Sequence, residues 1–187
     1  MKKIPTLFLR DPSDMSRITR TIHRDCGWVL TGEGTATRKY DGTCVMFDGQ
    51  SWWSRREVKA GKTSPPLFVL TETDSMTGKI VGWEPIEQSS FAKWHAQALT
   101  DGVWTVGTYE LIGPKINGNP EGVDTHDLIC HAHAERYPAM NAPQGYDELA
   151  RVFETLPWEG IVWHHPDGRM AKLKIRDFGR TSRGRRR

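Results

Sequence analysis

Short apolar runs separated by turn-forming residues recur along the chain, and this pattern predicts a structure rich in β-strands. We predict strands over residues 43–47, 51–58, 67–70, 79–83, 103–112 and 169–175. Asp48-Gly49 joins the first two strands and is typical of a two-residue hairpin turn. A second turn, at residues 166–168, follows the apolar segment 159–165. We therefore expect antiparallel pairing between strands that are neighbours in the sequence.

Three segments carry helical signals instead. A helix is predicted from Ser89 or Ser90, either of which can cap its N-terminus, to Leu99. Residues 147–156 place four apolar side chains on one face of a second helix. A short helix is also predicted to end at about His23. Many strands with few helices predict an α+β fold.

The length of the chain suits one ordinary domain. With 187 residues and 21.3 kDa, it can bury a core without disulfides. We expect one domain over residues 1–179, a basic tail over residues 180–187, and a monomer. No apolar run approaches the roughly 18 residues of a membrane span, and the N-terminus lacks the long apolar segment of a signal peptide. We therefore expect a cytoplasmic protein that does not enter a membrane.

Positive charge is concentrated at the C-terminal end. The net charge is +3; six arginines and one aspartate give the last twelve residues +5, so that the preceding 175 residues carry −2. A basic arm on a near-neutral body is typical of a protein that binds a polyanion. We predict that Arg183, Arg185, Arg186 and Arg187 bind nucleic acid. The alternative is a solvated tail without a ligand.

The cysteines predict neither a disulfide framework nor a zinc knuckle, because the three of them form no C-x-x-C pair. His126, His131 and His133 surround Cys130 in the sequence, and a metal site there is an alternative. Metal sites usually add a second ligand pair at defined spacing, and none accompanies this cluster.

Lys39 is the strongest candidate for chemistry. It precedes Asp41 and Gly42, directly before an apolar run. A lysine is normally a solvated ammonium group without a lone pair, so a nucleophilic lysine needs a lowered pKa or a partner that removes its proton. The arrangement is that of a lysine nucleophile beside a carboxylate. Taken alone, K-x-D-G is more often a turn between strands.

Two later lysines share one face of a predicted strand. Lys172 and Lys174 are two residues apart, so their side chains point to one face while Leu173 points to the other. Two like charges on one face of a strand need an anion or solvent to be tolerated. A triphosphate would serve as that anion.

Glu110 and Arg55 are candidates for nucleotide contacts. Glu110 ends a predicted strand before a loop rich in Gly, Pro and Asn, a position suited to a ribose hydroxyl or a hydrated metal ion. The predicted hairpin 43–58 brings Arg55 or Arg56 back toward Lys39. A guanidinium group there can hold a phosphate or a ribose.

Five short segments follow the order and rough spacing of the covalent nucleotidyltransferase motifs. They are Lys39-Tyr40-Asp41-Gly42, Ser54-Arg55, Tyr109-Glu110-Leu111, Glu159-Gly160-Ile161-Val162 and Lys172-Leu173-Lys174. The chain resembles that superfamily of ATP-dependent DNA ligases, RNA ligases and mRNA capping enzymes. Segments 53–55, 82–85, 110–120 and 159–164 look like the 5′-to-3′ RNA ligase family that has a human member, and the similarity runs over residues 34–179. Only the basic tail follows the last motif, so we expect no OB domain.

The resemblance implies a fold and a mechanism. The fold would be an adenylation domain in which two antiparallel sheets form a nucleotide cleft, flanked by helices. Lys39 would attack the α-phosphorus of ATP and become lysyl-AMP. Lys172 and Lys174, with Mg²⁺ or Mn²⁺, would neutralise phosphate charge and help to keep Lys39 unprotonated. The AMP would pass to a 5′-phosphate on RNA, and a 3′-hydroxyl would displace it.

The resemblance also assigns the remaining site residues. The residues that would hold the nucleotide are Arg38, Arg55, Glu110, Val162, Lys172 and Lys174, with Val162 against the adenine. Glu159 and Asp41 would hold metal-bound water. The sequence leaves open a DNA ligase or nick-sealing ligase, and, from another class, a nucleic-acid-binding module with a degenerate nucleotide site.

Overall fold

Eleven β-strands and two α-helices form within residues 2–75, 77–99 and 102–180, the ranges that the computed structural model describes. The strands are β1 (Phe8–Asp11), β2 (Asp14–Ile22), β3 (Thr35–Lys39), β4 (Thr43–Phe47), β5 (Trp52–Val58), β6 (Val69–Thr73), β7 (Ile80–Pro85), β8 (Gly107–Ile112), β9 (Asp127–Cys130), β10 (Gly160–His164) and β11 (Met170–Lys174). The helices are α1 (Ala92–Ala98) and α2 (Tyr146–Thr155). The prediction of an α+β fold with antiparallel sheets is confirmed.

The described residues divide into two compact units. The first comprises residues 2–3 and 41–133, and the second comprises residues 4–40 and 134–180. The K-x-D-G motif is divided between them: Lys39 and Tyr40 belong to the second unit, whereas Asp41 and Gly42 belong to the first.

The first unit is built on a six-stranded antiparallel sheet with the order β6-β7-β5-β4-β8-β9. Alternating apolar positions of β4 and β8 supply core residues such as Val45 and Leu111, both fully buried. Helix α1 adds Ala98 to the same core.

The hairpin between β4 and β5 is confirmed, but its connection differs from the prediction. Phe47 pairs with Trp52, so four residues join the strands rather than two. The carboxylate of Asp48 accepts hydrogen bonds from the backbone N–H groups of Gln50 (2.9 Å) and Ser51 (2.8 Å). This side-chain capping stabilises the longer loop, which the Asp-Gly pair alone does not reveal.

The second unit begins with an antiparallel hairpin of β1 and β2, so the helix predicted to end near His23 is wrong. Ile18 and Ile22 are four residues apart, a spacing that suits one face of a helix but also one face of a strand. β-Branched residues at positions 18, 19, 21 and 22 favour the strand. The hairpin is a third sheet in the described part of the chain, beyond the two that were predicted.

The second unit also contains a three-stranded antiparallel sheet with the order β11-β10-β3. Its core face carries Ala36, Ile161, Trp163, Ala171 and Leu173, all fully buried. Helix α2, predicted almost to the residue, packs into this core through its apolar face. Successive side chains of a strand point to opposite faces, so the residues between these core positions lie on the other face of the sheet.

Neither α-helix in the described ranges has the length and apolar character that a bilayer crossing requires.

Candidate active site

Lys39, Gly160 and Lys174 form one row across the three-stranded sheet. Gly160 on β10 pairs with Lys39 on β3 and with Lys174 on β11. Directly opposed residues on neighbouring strands point to the same face of a sheet. The first and last motifs of the sequence analysis therefore meet on one surface, although they are far apart in the chain.

Gly160 is required at the centre of this row. A Cβ atom at position 160 would collide with the carbonyl oxygen of Leu173 and would lie 2.9 Å from the Cα of Lys174. Glycine lets β10 and β11 approach closely at this point. The glycine of the predicted Glu159-Gly160-Ile161-Val162 motif thus has a steric reason in this fold.

Glu159 lies between the two lysines. Its Oε2 is 2.5 Å from Nζ of Lys39, and its Oε1 is 2.5 Å from Nζ of Lys174. Nζ of Lys39 also donates to the backbone oxygen of Tyr40 at 3.2 Å. The three side chains are only 18%, 10% and 13% exposed for Lys39, Glu159 and Lys174 respectively. They form a largely buried charge cluster, which we call the lysine cluster.

The two lysines keep Glu159 ionised. Burial would raise the pKa of Glu159, but the charges of Lys39 and Lys174 outweigh it and hold that pKa below its usual range. Burial and repulsion from Lys39 lower the pKa of Lys174, against the opposing attraction of Glu159. With both amines protonated, the cluster has more positive than negative charge. It is therefore suited to attract an anion.

The next row of the same face contains Thr37, Val162 and Lys172. Val162 pairs with both of the others. Val162 and Thr37 are buried, and the Thr37 hydroxyl donates to the Val162 carbonyl at 3.2 Å. Leu173 is fully buried on the other face, so the predicted alternation of Lys172, Leu173 and Lys174 is confirmed. The structure thus places Val162 one row from the lysine cluster, whereas its contact with adenine stays a prediction.

Arg38 lies on the other face of the sheet from Lys39. It pairs with the core residue Ile161. Its Nη1 is 3.3 Å from the carboxylate of Glu135, and its guanidinium group stacks 4.5 Å from the ring centre of Tyr40. The Arg38 side chain thus has an acidic and an aromatic partner in the described structure. Nucleotide contact by Arg38 stays a prediction.

Glu110, in the first unit, is the centre of a hydrogen-bonded network. Its Oε1 accepts the backbone N–H of Gly42 at 3.1 Å, and its Oε2 lies 3.1 Å from Nε2 of His131. Nδ1 of His131 is in turn 2.9 Å from the hydroxyl of Thr108. His131 and Glu110 lie 21 residues apart, and no local pattern in the sequence links them.

Gly42 has a packing reason to be glycine. A Cβ atom there would collide with the carbonyl oxygen of Leu111 and would lie 2.8 Å from Cγ of Glu110. The neighbouring Asp41 donates its backbone N–H to Glu121 at 2.7 Å, and its Oδ1 is 3.5 Å from the amide nitrogen of Asn117. In the first unit, the Asp-Gly half of the motif is therefore a tightly packed turn beside β8.

Arg55 carries an unusual buried donor. It lies on β5 opposite Trp83. Its Nε atom is buried and has no hydrogen-bond partner among the described residues. A buried N–H group without an acceptor is costly. An acceptor such as a phosphate or ribose oxygen would remove that cost. Nucleotide contact by Arg55 stays a prediction.

The candidate metal ligands are Glu159, Asp41 and the residues around Cys130. Within the described ranges, no three His, Cys, Asp or Glu side chains lie close enough together to hold a metal ion. Of the alternative histidine and cysteine cluster, His126 stacks on Trp94 with ring centres 4.9 Å apart, and His131 is engaged by Glu110. Glu159 and Asp41 belong to different units. Their metal contacts stay predictions.

The predicted nucleic-acid-binding residues Arg183, Arg185, Arg186 and Arg187 lie outside the described residues.

Comparison with known proteins gives a distant match to RNA ligases. The chain is 28% identical to RNA ligase 1 of Rattus norvegicus and 29% identical to RNA ligase 1 of Mus musculus. In each case the match covers 54% of this chain and 41% of the relative. The chain therefore spans less than half the length of these curated relatives. No model of a known protein family matches the chain. The similarity supports an RNA-ligase-like relationship.

Proposed function

We propose that this protein is an ATP-dependent RNA ligase that joins 5′-phosphate and 3′-hydroxyl ends through a lysyl-AMP intermediate on Lys39. The observation that carries the proposal is the convergence of Lys39, Glu159 and Lys174 in one largely buried cluster. The similarity to rat and mouse RNA ligase 1 supports RNA as the substrate.

In the first proposed step, Nζ of Lys39 attacks the α-phosphorus of ATP. A nitrogen–phosphorus bond forms while the bond to the bridging oxygen breaks, and pyrophosphate leaves. The attacking nitrogen must first lose a proton, and a second proton leaves as the phosphoramidate forms. Lys174 lies on the same carboxylate as Lys39. Its positive charge opposes protonation of the attacking amine, whereas the negative charge of Glu159 favours it.

In the second step, a 5′-phosphate oxygen of RNA attacks the phosphorus of lysyl-AMP, which breaks the nitrogen–phosphorus bond and returns Lys39. In the third step, a 3′-hydroxyl oxygen attacks the activated 5′-phosphorus, loses its proton and displaces AMP. Positioning and charge stabilisation supply most of the catalysis in such phosphoryl chemistry. Lys172 and Lys174 project from the face that carries Lys39 and are suited to the phosphate charge.

The proposal expects Mg²⁺, with Mn²⁺ as a substitute, to neutralise phosphate charge. Both oxygens of Glu159 meet ammonium groups in the described structure, so this carboxylate fits a metal only after one lysine withdraws. Adenylation would remove the charge of the Lys39 nitrogen and release Oε2. One carboxylate with substrate phosphates and water is an ordinary environment for Mg²⁺. Asp41 is a second candidate ligand.

The test is retention of label from ATP on the denatured protein. Wild type, Lys39→Ala and Lys62→Ala are each incubated with Mg²⁺ and ATP labelled at the α-phosphate. Lys62 is an exposed lysine of the first unit and serves as the matched control. Label is expected on wild type and Lys62→Ala but not on Lys39→Ala.

The labelled protein is then offered 5′-phosphorylated RNA or DNA of the same sequence. Transfer of label to RNA, followed by joining to a 3′-hydroxyl end, supports the RNA ligase. Equal transfer to DNA would favour the nick-sealing alternative. If wild type binds ATP but retains no label, the covalent mechanism is wrong and a nucleic-acid-binding module becomes the better explanation.

A further inference from the structure

Asp177 is a deeply buried carboxylate three residues after Lys174, with 1% exposure. A buried charge is tolerated only when protein groups replace its water. The backbone N–H of Lys174 donates to Oδ2 at 2.8 Å, and Nη2 of Arg10 lies 2.8 Å from Oδ1. Asp177 therefore joins the N-terminal hairpin to the strand that carries Lys174.

The two bonds next to Lys174 fix the end of its strand. Lys174 is the last residue of β11 and precedes the 3-10 turn Ile175–Phe178. Asp177 holds the backbone N–H of Lys174, and the N–H of Ile175 donates to the backbone oxygen of Glu159 at 3.0 Å. Strand ends otherwise fray, because their backbone groups lack ladder partners. Here the backbone on both sides of the Lys174 side chain is held.

Arg10 is itself held by the N-terminal segment. Its Nη1 donates to the Ser16 carbonyl at 3.2 Å and its Nη2 donates to the Thr6 hydroxyl at 3.3 Å. Residues 5–7 also pair with the lysine strand: the Leu7 N–H donates to the Lys172 carbonyl at 2.9 Å, and the Lys172 N–H donates to the Pro5 carbonyl at 3.0 Å. The N-terminal segment thus supports both positions of the lysine motif.

We infer that Asp177 is a positioning residue for Lys174 and that Arg10 holds Asp177 in place. The inference rests on the proposed function, since it assigns Asp177 an effect on the adenylation of Lys39. The connection runs through contacts already described: Lys174 meets one oxygen of Glu159, and Lys39 meets the other. A displaced Lys174 backbone would therefore alter the charge balance at Lys39.

The test replaces Asp177 by asparagine. Asp177→Asn keeps the size but replaces the carboxylate that accepts from the Lys174 N–H and faces Arg10 by a neutral amide, which is a weaker acceptor. We expect the single-turnover rate of lysyl-AMP formation at saturating ATP to fall by on the order of tenfold, since small misplacements of catalytic groups have effects of this size or larger. Arg10→Gln should give a comparable loss. The rate of the double variant should be little lower than that of either single variant, because both substitutions remove the same contact between Arg10 and Asp177.

The matched control is Asp147→Asn. Asp147 accepts two hydrogen bonds from Arg20 of the same hairpin, at 2.8 and 2.7 Å, but both residues are exposed. This control should react at the wild-type rate. All rates are measured where circular dichroism shows every variant fully folded, so that general destabilisation leaves the rate unchanged. Should Asp177→Asn not fold, the more exposed Arg10→Gln decides the matter.

A second readout does not depend on ligase activity. Hydrogen exchange of the Lys174 backbone amide should be at least several-fold faster in Asp177→Asn and unchanged in Asp147→Asn. A wild-type adenylation rate in the folded Asp177→Asn and Arg10→Gln variants would overturn the inference. If wild type takes no label, the proposed function fails. In that event, the exchange of the Lys174 amide in Asp177→Asn still tests the contact between Asp177 and Lys174. Unchanged exchange would show that Asp177 does not fix the Lys174 backbone, and faster exchange would show that it does.

Discussion

Glu159 and Glu110 are two carboxylates with almost the same burial and very different surroundings. Their side chains are 10% and 11% exposed. Glu159 is held between two ammonium groups on a three-stranded sheet. Glu110 is held by a backbone N–H and an imidazole on a six-stranded sheet. Burial alone therefore does not distinguish the two positions, but the chemistry of their partners does.

The Glu110 network and the lysine cluster should respond differently to a bound ligand. The network of Glu110 is made of directional hydrogen bonds, which fix β8 against the turn at Gly42 and against His131. The lysine cluster is made of like-charged amines that share one counter-charge, an arrangement that an added anion would relieve. We expect the first network to act as a rigid support and the second to change its charge when substrate binds.

The largest effect is expected for Glu159→Gln. This variant leaves two ammonium groups beside a neutral amide, so their repulsion and the position of Lys39 change together. Loss of a single preorganised charged group at a reaction centre typically costs on the order of 10²-fold or more. Single-turnover formation of lysyl-AMP measures the loss. A rate within twofold of wild type would show that Glu159 is not part of the reaction centre.

Gly160→Ala tests whether the row of Lys39, Gly160 and Lys174 depends on close strand contact. The added methyl group meets the Leu173 carbonyl, and we expect the free energy of unfolding to fall by about 1–3 kcal/mol, the usual cost of overpacking. Urea denaturation measures the change. Gly27→Ala is the control, since a Cβ atom there has no neighbour within 4 Å in the described structure. Equal stability of the two variants would contradict the steric role of Gly160.

Glu110→Gln tests whether the network of Glu110 acts as a support and not as part of the reaction centre. Glutamine keeps an acceptor for the Gly42 N–H and a partner for His131, so the network should persist. We expect the rate at saturating ATP to stay within about twofold of wild type. KM for ATP should rise by about tenfold, or 1.4 kcal/mol, because a neutral amide accepts more weakly than a carboxylate from the ribose hydroxyl that Glu110 is predicted to hold. ATP titrations of the labelling rate separate the two quantities. If Glu110→Gln lowered the rate of lysyl-AMP formation as much as Glu159→Gln, the proposed difference between the two carboxylates would be wrong.

The smallest effect is expected for His95, a buried residue of the first unit whose Nε2 has no hydrogen-bond partner among the described residues. Burial lowers the pKa of His95 from 6.5 to about 4. Above pH 6.5 the imidazole is neutral in both states, whereas below it the unfolded chain takes up the proton first. Stability should therefore fall as the pH drops from 6.5 toward 4.

His95→Gln should reduce this dependence of the unfolding free energy on pH, as measured by urea denaturation at several pH values. His133→Gln replaces an exposed histidine of the same unit and should leave the dependence unchanged. Parallel pH profiles for wild type and His95→Gln would contradict the assignment.

Local patterns predicted six of the eleven strands in the described residues, helix α2 and the alternation of Lys172, Leu173 and Lys174. They failed at Asp14–Ile22, where Ile18 and Ile22 fit both a helix face and a strand face, and tertiary pairing with β1 decides. The contacts of Glu159 with Lys39 and of His131 with Glu110 join residues 120 and 21 positions apart. No sequence window spans such distances. The roles of Arg55, Val162 and Asp41 in ligand binding stay predictions.

The lysine cluster forms late in synthesis, because β3 must pair with β10 and β11 from much later in the chain. Lys39 leaves the ribosome 120 residues before Glu159, and its neighbour β10 follows only then. A nascent chain that ends before Glu159 contains neither that strand nor the carboxylate that meets Lys39. On the proposed function, a nascent chain without Glu159 and β10 therefore consumes no ATP, and competence to react begins only when β10 and β11 have joined β3.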